Sequence, residues 1–414
     1  MFCLYIDPGT GSMLFTILVG VLGAGIYAAR GFAMKLRFLL SGGKADKQDA
    51  DRLPYVIFTD SKRYWNLFAP ICREFEKRGE SLTYMTASPD DPALHENFRH
   101  VNCQFIGEGN RAFAKLNMLK ADVVLATTPG LDVYQWKRSK DVRCYIHLPH
   151  MLTDITTYRM FGIDYYDAIL TTGPYMEQEI RELERIRNLP AKDISVAGLP
   201  YMDELLKKKE AAGPVGNHPR TVLLAPSWGP SSILNRYGES IFEALLATGY
   251  RIIVRPHPQS YESEKELLER LQKAYPDSDR LQWNRDNDNF EVLRNSDILI
   301  SDFSGVAFDF ALIFDRPVII ADTSWDSGVY DACWLEEKPW MFRILPKMGL
   351  QLTEENLPQM KNLIDSCLDS PEFQKGRQQA REDSWSYIGR SAEKTADYMI
   401  AKRQALTKTE EEIK

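Results

Sequence analysis

A short apolar run ending in a polar or turn residue, then a helical stretch, then another such run, recurs along most of the chain. This alternation constrains the fold more than any other feature. The first run, residues 55–60 (YVIFTD), stays apolar almost to its end, as a strand buried on both faces of a parallel sheet does. Behind it Trp65, Phe68, Ile71, Cys72 and Phe75 fall at helical spacing. Further strands are predicted at 82–86, 103–107, 122–127, 143–148, 167–172 and 194–200, with a helix from Gly173-Pro174 through Arg187. After a Gly/Pro-rich stretch the pattern restarts, with strands at 221–226, 250–256, 297–301 and 317–321 and closing helices over 354–368 and 391–405. Such alternation implies parallel sheets wound with right-handed crossovers. The expectation is an α/β protein of two Rossmann-like, doubly wound domains facing a cleft beyond the C-terminal strand ends. The first domain is placed at 53–212, the hinge at 213–219, the second domain at 220–405 and a charged tail at 406–414.

The 414 residues exceed one ordinary core, which suits two domains. A net charge of −7 without a sustained basic stripe argues against a nucleic-acid partner. The six cysteines (Cys3, Cys72, Cys103, Cys144, Cys333, Cys367) show neither CxxC nor Cys/His spacing, so neither a zinc site nor a disulfide framework is expected. Residues 12–29 (SMLFTILVGVLGAGIYAA) carry no charge and are just long enough for a short membrane span. Asp7 precedes this run, whereas Arg30, Lys35, Arg37, Lys44 and Lys47 follow it, which puts the body on the cytoplasmic side of the cell membrane. A cleaved signal peptide would carry its positive charge first. A buried soluble helix is the alternative, which Gly20, Gly23 and Gly25 would weaken. The expectation is therefore a single-pass anchor at 1–40, including an amphipathic collar at 34–40, and a linker at 41–52.

Three segments sit where α/β enzymes keep their chemistry. In IIVRPHPQS, His257 lies just past a strand between Pro256 and Pro258, and with Arg255 it could face a phosphate. An isolated loop histidine would more often cap a carbonyl; the prolines, the arginine and the strand-end position point to function. In RCYIHLPHM, alternation places His147 within the strand, and His150, past Pro149, is better placed to act as a general base. In SDILISDFSGVAFDFALIF, Ser301 and Asp302 lead into Ser304, an N-cap candidate, and Gly305, which would permit close approach to a ligand. The free N–H groups of the following helix turn would favour an anion, with Asp309 on the same face as Asp302. Ser304 serving only as a cap is the competing reading. Ser227, beside Trp228 in SWGPSS, adds a further phosphate-side candidate, while Trp228 reads equally as core or as a wall for a base.

Taken together these segments resemble the CDP-glycerol glycerophosphotransferase family, which builds teichoic-acid-type polymers. RPHP (255–258) resembles its HP-containing motif, and SDFSGVAFDFA (301–311) its S/T-D-Y-S-S-x-x-F-D motif, with Phe303 for Tyr and Gly305 for the second Ser. YIHLPHM resembles Q-x-W-H-G, aligning His150 with the motif histidine, while Pro149 and Met151 depart from Trp and Gly. APSWGPSS resembles A-P-T-W-R without its arginine. The resemblance implies a GT-B architecture and a membrane-anchored phosphotransferase of the EC 2.7.8 type, with no cofactor and no metal. CDP-glycerol, or a similar CDP-alditol, would be the donor, and a lipid-linked glycan or polyol-phosphate the acceptor. It further implies that His150 and His257 are catalytic. Arg255, Ser301, Asp302, Ser304, Gly305, Asp309 and Ser227 would bind donor phosphates. Two rivals are a GT-B glycosyltransferase using a nucleotide sugar and a non-catalytic scaffold for envelope synthesis.

Overall fold

The computed structural model describes residues 52–413, apart from Asn287 and Ser324. The expected membrane span at 12–29, its basic flank and the collar lie outside the described residues. Among the described residues no helix is long and apolar enough to cross a membrane.

The first sheet holds β1 (Leu53–Thr59), β2 (Leu82–Thr86), β3 (Val101–Phe105), β4 (Ala121–Ala126), β5 (Val142–His147), β6 (Ala168–Thr171) and β7 (Asp193–Val196). All neighbours are parallel, in the order β3-β2-β1-β4-β5-β6-β7. Every residue of β4 is buried, so it reads as an apolar run and not as an alternating one. The second sheet, also parallel, holds β8 (Thr221–Leu224), β9 (Arg251–Val254), β10 (Leu281–Trp283), β11 (Ile298–Ser301), β12 (Val318–Ala321) and β13 (Gly349–Leu352), in the order β10-β9-β8-β11-β12-β13. Strand order reverses at the β1/β4 pair in one sheet and at β8/β11 in the other, where α/β sheets open a crevice at their C-terminal ends.

The outer strands β10 and β13 were not anticipated. Each is short and exposes a glutamine, Gln282 or Gln351, so neither has the apolar run of an inner strand. β13 also begins on Gly349, where a Cβ would lie 1.5 Å from the Val318 carbonyl oxygen, so the strand can approach β12 only with glycine there.

Helices α1 (Trp65–Arg78), α2 (Tyr175–Arg187) and α3 (Pro200–Ala212) belong to the first half of the chain. In the second half, α4 (Val306–Phe308) runs directly into a π turn at Asp309–Ile313. It is followed by α5 (Trp340–Ile344), α6 (Glu372–Ser384) and α7 (Ser391–Ile413). α7 returns to the first sheet: Arg403 Nε donates to Asp122 Oδ2 at 2.8 Å and Asp397 pairs with Arg78 of α1 at 2.8 Å. It continues helical through Ile413, over the segment expected as a charged tail. The linking stretch passes so close to the first domain that a Cβ on Gly198 (φ +82°) would lie 2.2 Å from the Ser386 carbonyl oxygen. Asp203 of α3 then accepts from Trp385 Nε1 at 3.1 Å and from the Ser391 N–H at 2.9 Å, fixing the entry to α7.

A second junction is built on two buried carboxyl groups. Asp154 accepts from the N–H groups of Trp340 (2.6 Å) and Met341 (2.9 Å), and Glu179 accepts from the same Trp340 N–H at 3.1 Å and from Thr156 Oγ1 at 3.0 Å. These are free N–H groups of the first turn of α5. The Trp340 ring stacks between Tyr175 (4.2 Å) and Phe308 (5.4 Å), joining elements from the two halves of the chain. Burial, then the Asp154 charge, pushes Glu179 up to about 9. A carboxyl whose folded pKa is raised contributes most below its unfolded pKa and loses that stability as pH climbs toward the folded value. Glu179→Gln keeps the group neutral, so its melting temperature relative to the parent should rise between the ordinary Glu value of 4.5 and about 9. Thermal melts across that range check this; a constant difference would mean Glu179 is ionised in the fold.

Candidate active site

A cleft of about 490 Å³ lies at the C-terminal strand ends of both sheets. Arg63 and Tyr64 enter it after β1, His150 after β5, Arg255 and His257 after β9, Asn289 after β10, and Ser304, Gly305 and Asp309 after β11. The structure thus brings together six of the residues expected from the sequence: His150, His257, Arg255, Ser304, Gly305 and Asp309.

His150 is held by its surroundings. Its Nδ1 lies 3.1 Å from Thr127 Oγ1, directly beyond β4, and its ring stacks on Tyr158 (6.1 Å) and meets Tyr64 at 4.9 Å. With Nδ1 so engaged, Nε2 is the nitrogen available to a ligand. Burial, then the nearby Arg63 charge, brings its pKa down to about 4, so the ring is neutral near pH 7 and able to accept a proton. His147 is different in kind: fully buried in β5, with Nε2 at 3.3 Å from Tyr158 OH, it supports the wall beneath His150.

His257 sits on the opposite side. Its Nδ1 accepts from the Gln259 N–H at 3.1 Å, which fixes the ring; burial and then Arg63 lower its pKa to about 4. Arg255 donates to Asn284 Oδ1, and its backbone N–H bonds the Leu224 carbonyl at 2.8 Å, so the end of β9 aims both side chains. Asp309 accepts from Tyr201 OH of α3 at 3.1 Å. Burial pushes its carboxyl up to about 7, opposed by bonds from Tyr201 and Asn289. A carboxyl poised there, with a tyrosine and an amide, is suited to hydroxyl groups better than to phosphate, whose charge it would repel when ionised. The π turn beginning at Asp309 is a feature often found at functional sites.

The remaining three lie beneath the cleft. Ser301 Oγ donates to the Ala225 carbonyl at 2.6 Å, and Asp302, fully buried, accepts from the N–H groups of Ser227 (2.8 Å) and Ile233 (3.0 Å). Their hydrogen-bonding capacity ties the loop after β8 to the end of β11, so Ser301, Asp302 and Ser227 shape the floor and are not among the cleft-lining residues. Two details of the expected helix turn also change. Gly305, not Ser304, occupies the cap position, with no side-chain cap bond; Ser304 accepts from the Ala307 N–H through its carbonyl at 3.1 Å. A Cβ on Gly305 would meet Met151 at 3.7 Å, ordinary contact, so glycine is not demanded by space there.

Arg63, Tyr64, Tyr201 and Asn289 were not singled out in the sequence. Arg63 follows the first apolar strand directly, in FTDSKRY, the same strand-end position that marked His150 and His257. Tyr201, Asn289 and Asp309 meet only through the fold. Among the described residues no group of three or more His, Cys, Asp and Glu side chains could hold a metal ion.

Residues 150–333 match the family model described as CDP-Glycerol:Poly(glycerophosphate) glycerophosphotransferase. Over these residues the chain is similar to that family. The matched segment starts at His150 and contains His257, Arg255, Ser304 and Asp309, the side chains that converge in the cleft. Among curated proteins none matches by sequence. Among solved structures, the wall teichoic acid polymerase TagF superimposes with a TM-score of 0.57 at 15% identity, covering 92% of this chain and 99% of that one. The UDP-GlcNAc 2-epimerase of Methanocaldococcus jannaschii gives 0.53 at 15% identity, covering 80% and 98%. That of Neisseria meningitidis gives 0.51 at 11%, covering 84% and 100%. At such identities the likeness is one of fold: two parallel-sheet α/β domains, as the alternating pattern predicts, with the GT-B-like arrangement that the resemblance implies.

Proposed function

We propose that the chain transfers glycerol phosphate from CDP-glycerol to a hydroxyl of a cell-envelope polymer acceptor, releasing CMP. The observation that carries this reading is the convergence of His150 and His257, from opposite sheets, within the family-matched segment and beside Arg255 and Ser304. The acceptor oxygen attacks the glycerol-bearing phosphorus, its proton passes to His150 Nε2, and the phosphorus–oxygen bond to CMP breaks. Charge gathers on the phosphoryl oxygens and on the leaving phosphate, where His257, Arg255 and the Ser304 hydroxyl stabilise it. Asp309, with Tyr201 and Asn289, would hold hydroxyl groups of the transferred glycerol. An acceptor linked to lipid suits the uncharged N-terminal run at 12–29, which we read as an anchor keeping the catalytic body at the cytoplasmic face of the cell membrane.

Ser304→Ala tests the donor side. The side chain makes no cap bond, so the melting temperature should stay within the small range of a surface change while affinity for CDP-glycerol falls. Isothermal titration with CDP-glycerol reads this directly; unchanged affinity would place the donor phosphates elsewhere. The epimerase-like fold keeps a nucleotide-sugar glycosyltransferase as the second reading. A donor screen with CDP-glycerol, CDP-ribitol, and UDP- and CMP-sugars separates the two.

A further inference from the structure

Four basic side chains line the cleft, and three are engaged within the protein. Arg73 pairs with Glu204 at 3.3 Å, Lys208 with Asp288 at 2.7 Å, and Arg255 donates to Asn284. Arg63 is held differently. Its backbone N–H and its Nε both donate to Ser61 Oγ, at 3.4 and 3.1 Å, which fixes one edge of the guanidinium just beyond β1 and leaves the two terminal nitrogens for a ligand. Among the described residues no carboxylate pairs with its guanidinium; Asp60, in the same loop, feels its charge without forming an ion pair. The guanidinium lies over the Tyr64 ring at 5.9 Å and lines the cleft with no carboxylate partner among the described residues. Its field reaches both sides of the site: after burial, which is the larger cause, its charge is what lowers the pKa of His150 and of His257 alike.

We propose that Arg63 is a phosphate clamp supplied by the first domain, its two terminal nitrogens gripping non-bridging oxygens of the group that Arg255 and His257 hold from the other side. A planar guanidinium matches two phosphate oxygens, and one without a competing carboxylate gives up no ion pair to bind them. The position also explains why a cation sits beside two histidines. An unneutralised charge there raises the cost of protonating either ring, and a bound pyrophosphate removes that cost at the moment His150 must accept a proton. The clamp assigns a ligand chemistry, a pyrophosphate, and in its role in turnover it rests on the proposed transfer reaction.

Inorganic pyrophosphate titrated into the full-length protein is the test. Arg63→Ala should weaken its binding by about 10- to 100-fold, the effect of losing hydrogen bonds between charged groups. Arg63→Lys should fall between the two, because it restores a point charge but not the fork. Arg63 is exposed, so both variants should keep the parent melting temperature. Equal pyrophosphate affinity in the parent and in Arg63→Ala, or no binding by the parent, overturns the clamp. Arg63-dependent pyrophosphate binding in a protein that turns over no CDP-glycerol would keep the clamp and remove the donor assignment, so the two failures are distinguishable.

Discussion

His150→Ala should lower turnover by about 10²–10⁴-fold while leaving donor affinity nearly unchanged, the range for loss of a positioned general base. His257→Ala should also lower turnover, and in addition raise the Michaelis constant for donor, because it faces the phosphate in the ground state. The two differ in what the pH profile retains. In the free protein each ring has its pKa lowered to about 4, so the acidic limb of kcat/KM should fall near that value and below the ordinary histidine value of 6.5. That limb should vanish in His150→Ala and persist in His257→Ala. His147→Ala provides the contrast. It removes a fully buried ring at 3.3 Å from Tyr158 OH, so its main effect should be on stability. A dead His147→Ala with the parent's melting temperature, beside a nearly normal His150→Ala, would shift the base back by three residues, to the end of β5.

Asp302→Ala should be the most destabilising single change near the site. The carboxylate is fully buried and accepts two backbone N–H groups, from Ser227 and Ile233. Removing it strands both donors away from water, at about 1–3 kcal/mol each. Asp302→Asn retains one acceptor oxygen and should lose about half as much. Because these bonds hold the loop after β8, activity should fall with stability in both variants. Chemical denaturation alongside an activity assay separates this from a direct phosphate contact, for which activity would fall in a protein of unchanged stability. Burial raises the Asp302 pKa above the ordinary carboxylate range, against the bonds that favour its charged form. By linkage its titration should therefore favour the fold most at low pH, and that contribution should be lost as pH rises through the raised value.

Most of the architecture was readable because buried parallel strands carry their own signature. β1, β4, β8 and β11 each carry a run of consecutive apolar residues, and the polar or turn-forming residues after them mark where the cleft must open. Strand-end position pointed to His150, His257 and Ser304, joined by the flanking prolines and Arg255 for His257 and by the helix start for Ser304. β10 and β13 escaped because an outer strand of three or four residues with an exposed glutamine has no distinguishing pattern. The return of α7 to the first sheet also escaped, since Asp203 and Gly198 show their purpose only when the residues they receive are in place. At the site, sequence motifs marked a segment but could not rank its members. Ser301, Asp302 and Ser304 are neighbours in the chain, yet two face the floor and one the cleft. Conversely, Tyr201 and Asp309 are 108 positions apart and join in one hydrogen bond.

The most direct test of the proposed chemistry is phosphorus NMR of the full-length protein incubated with CDP-glycerol and a hydroxyl-bearing polyol-phosphate acceptor, run beside CDP-ribitol and UDP- and CMP-sugars. The proposal predicts that the CDP-glycerol pyrophosphate signals give way to CMP and a new phosphodiester, and that His150→Ala and His257→Ala suppress both products. Turnover of a nucleotide sugar with CDP-glycerol left intact, or CDP-glycerol consumption unaffected by either histidine, would contradict it.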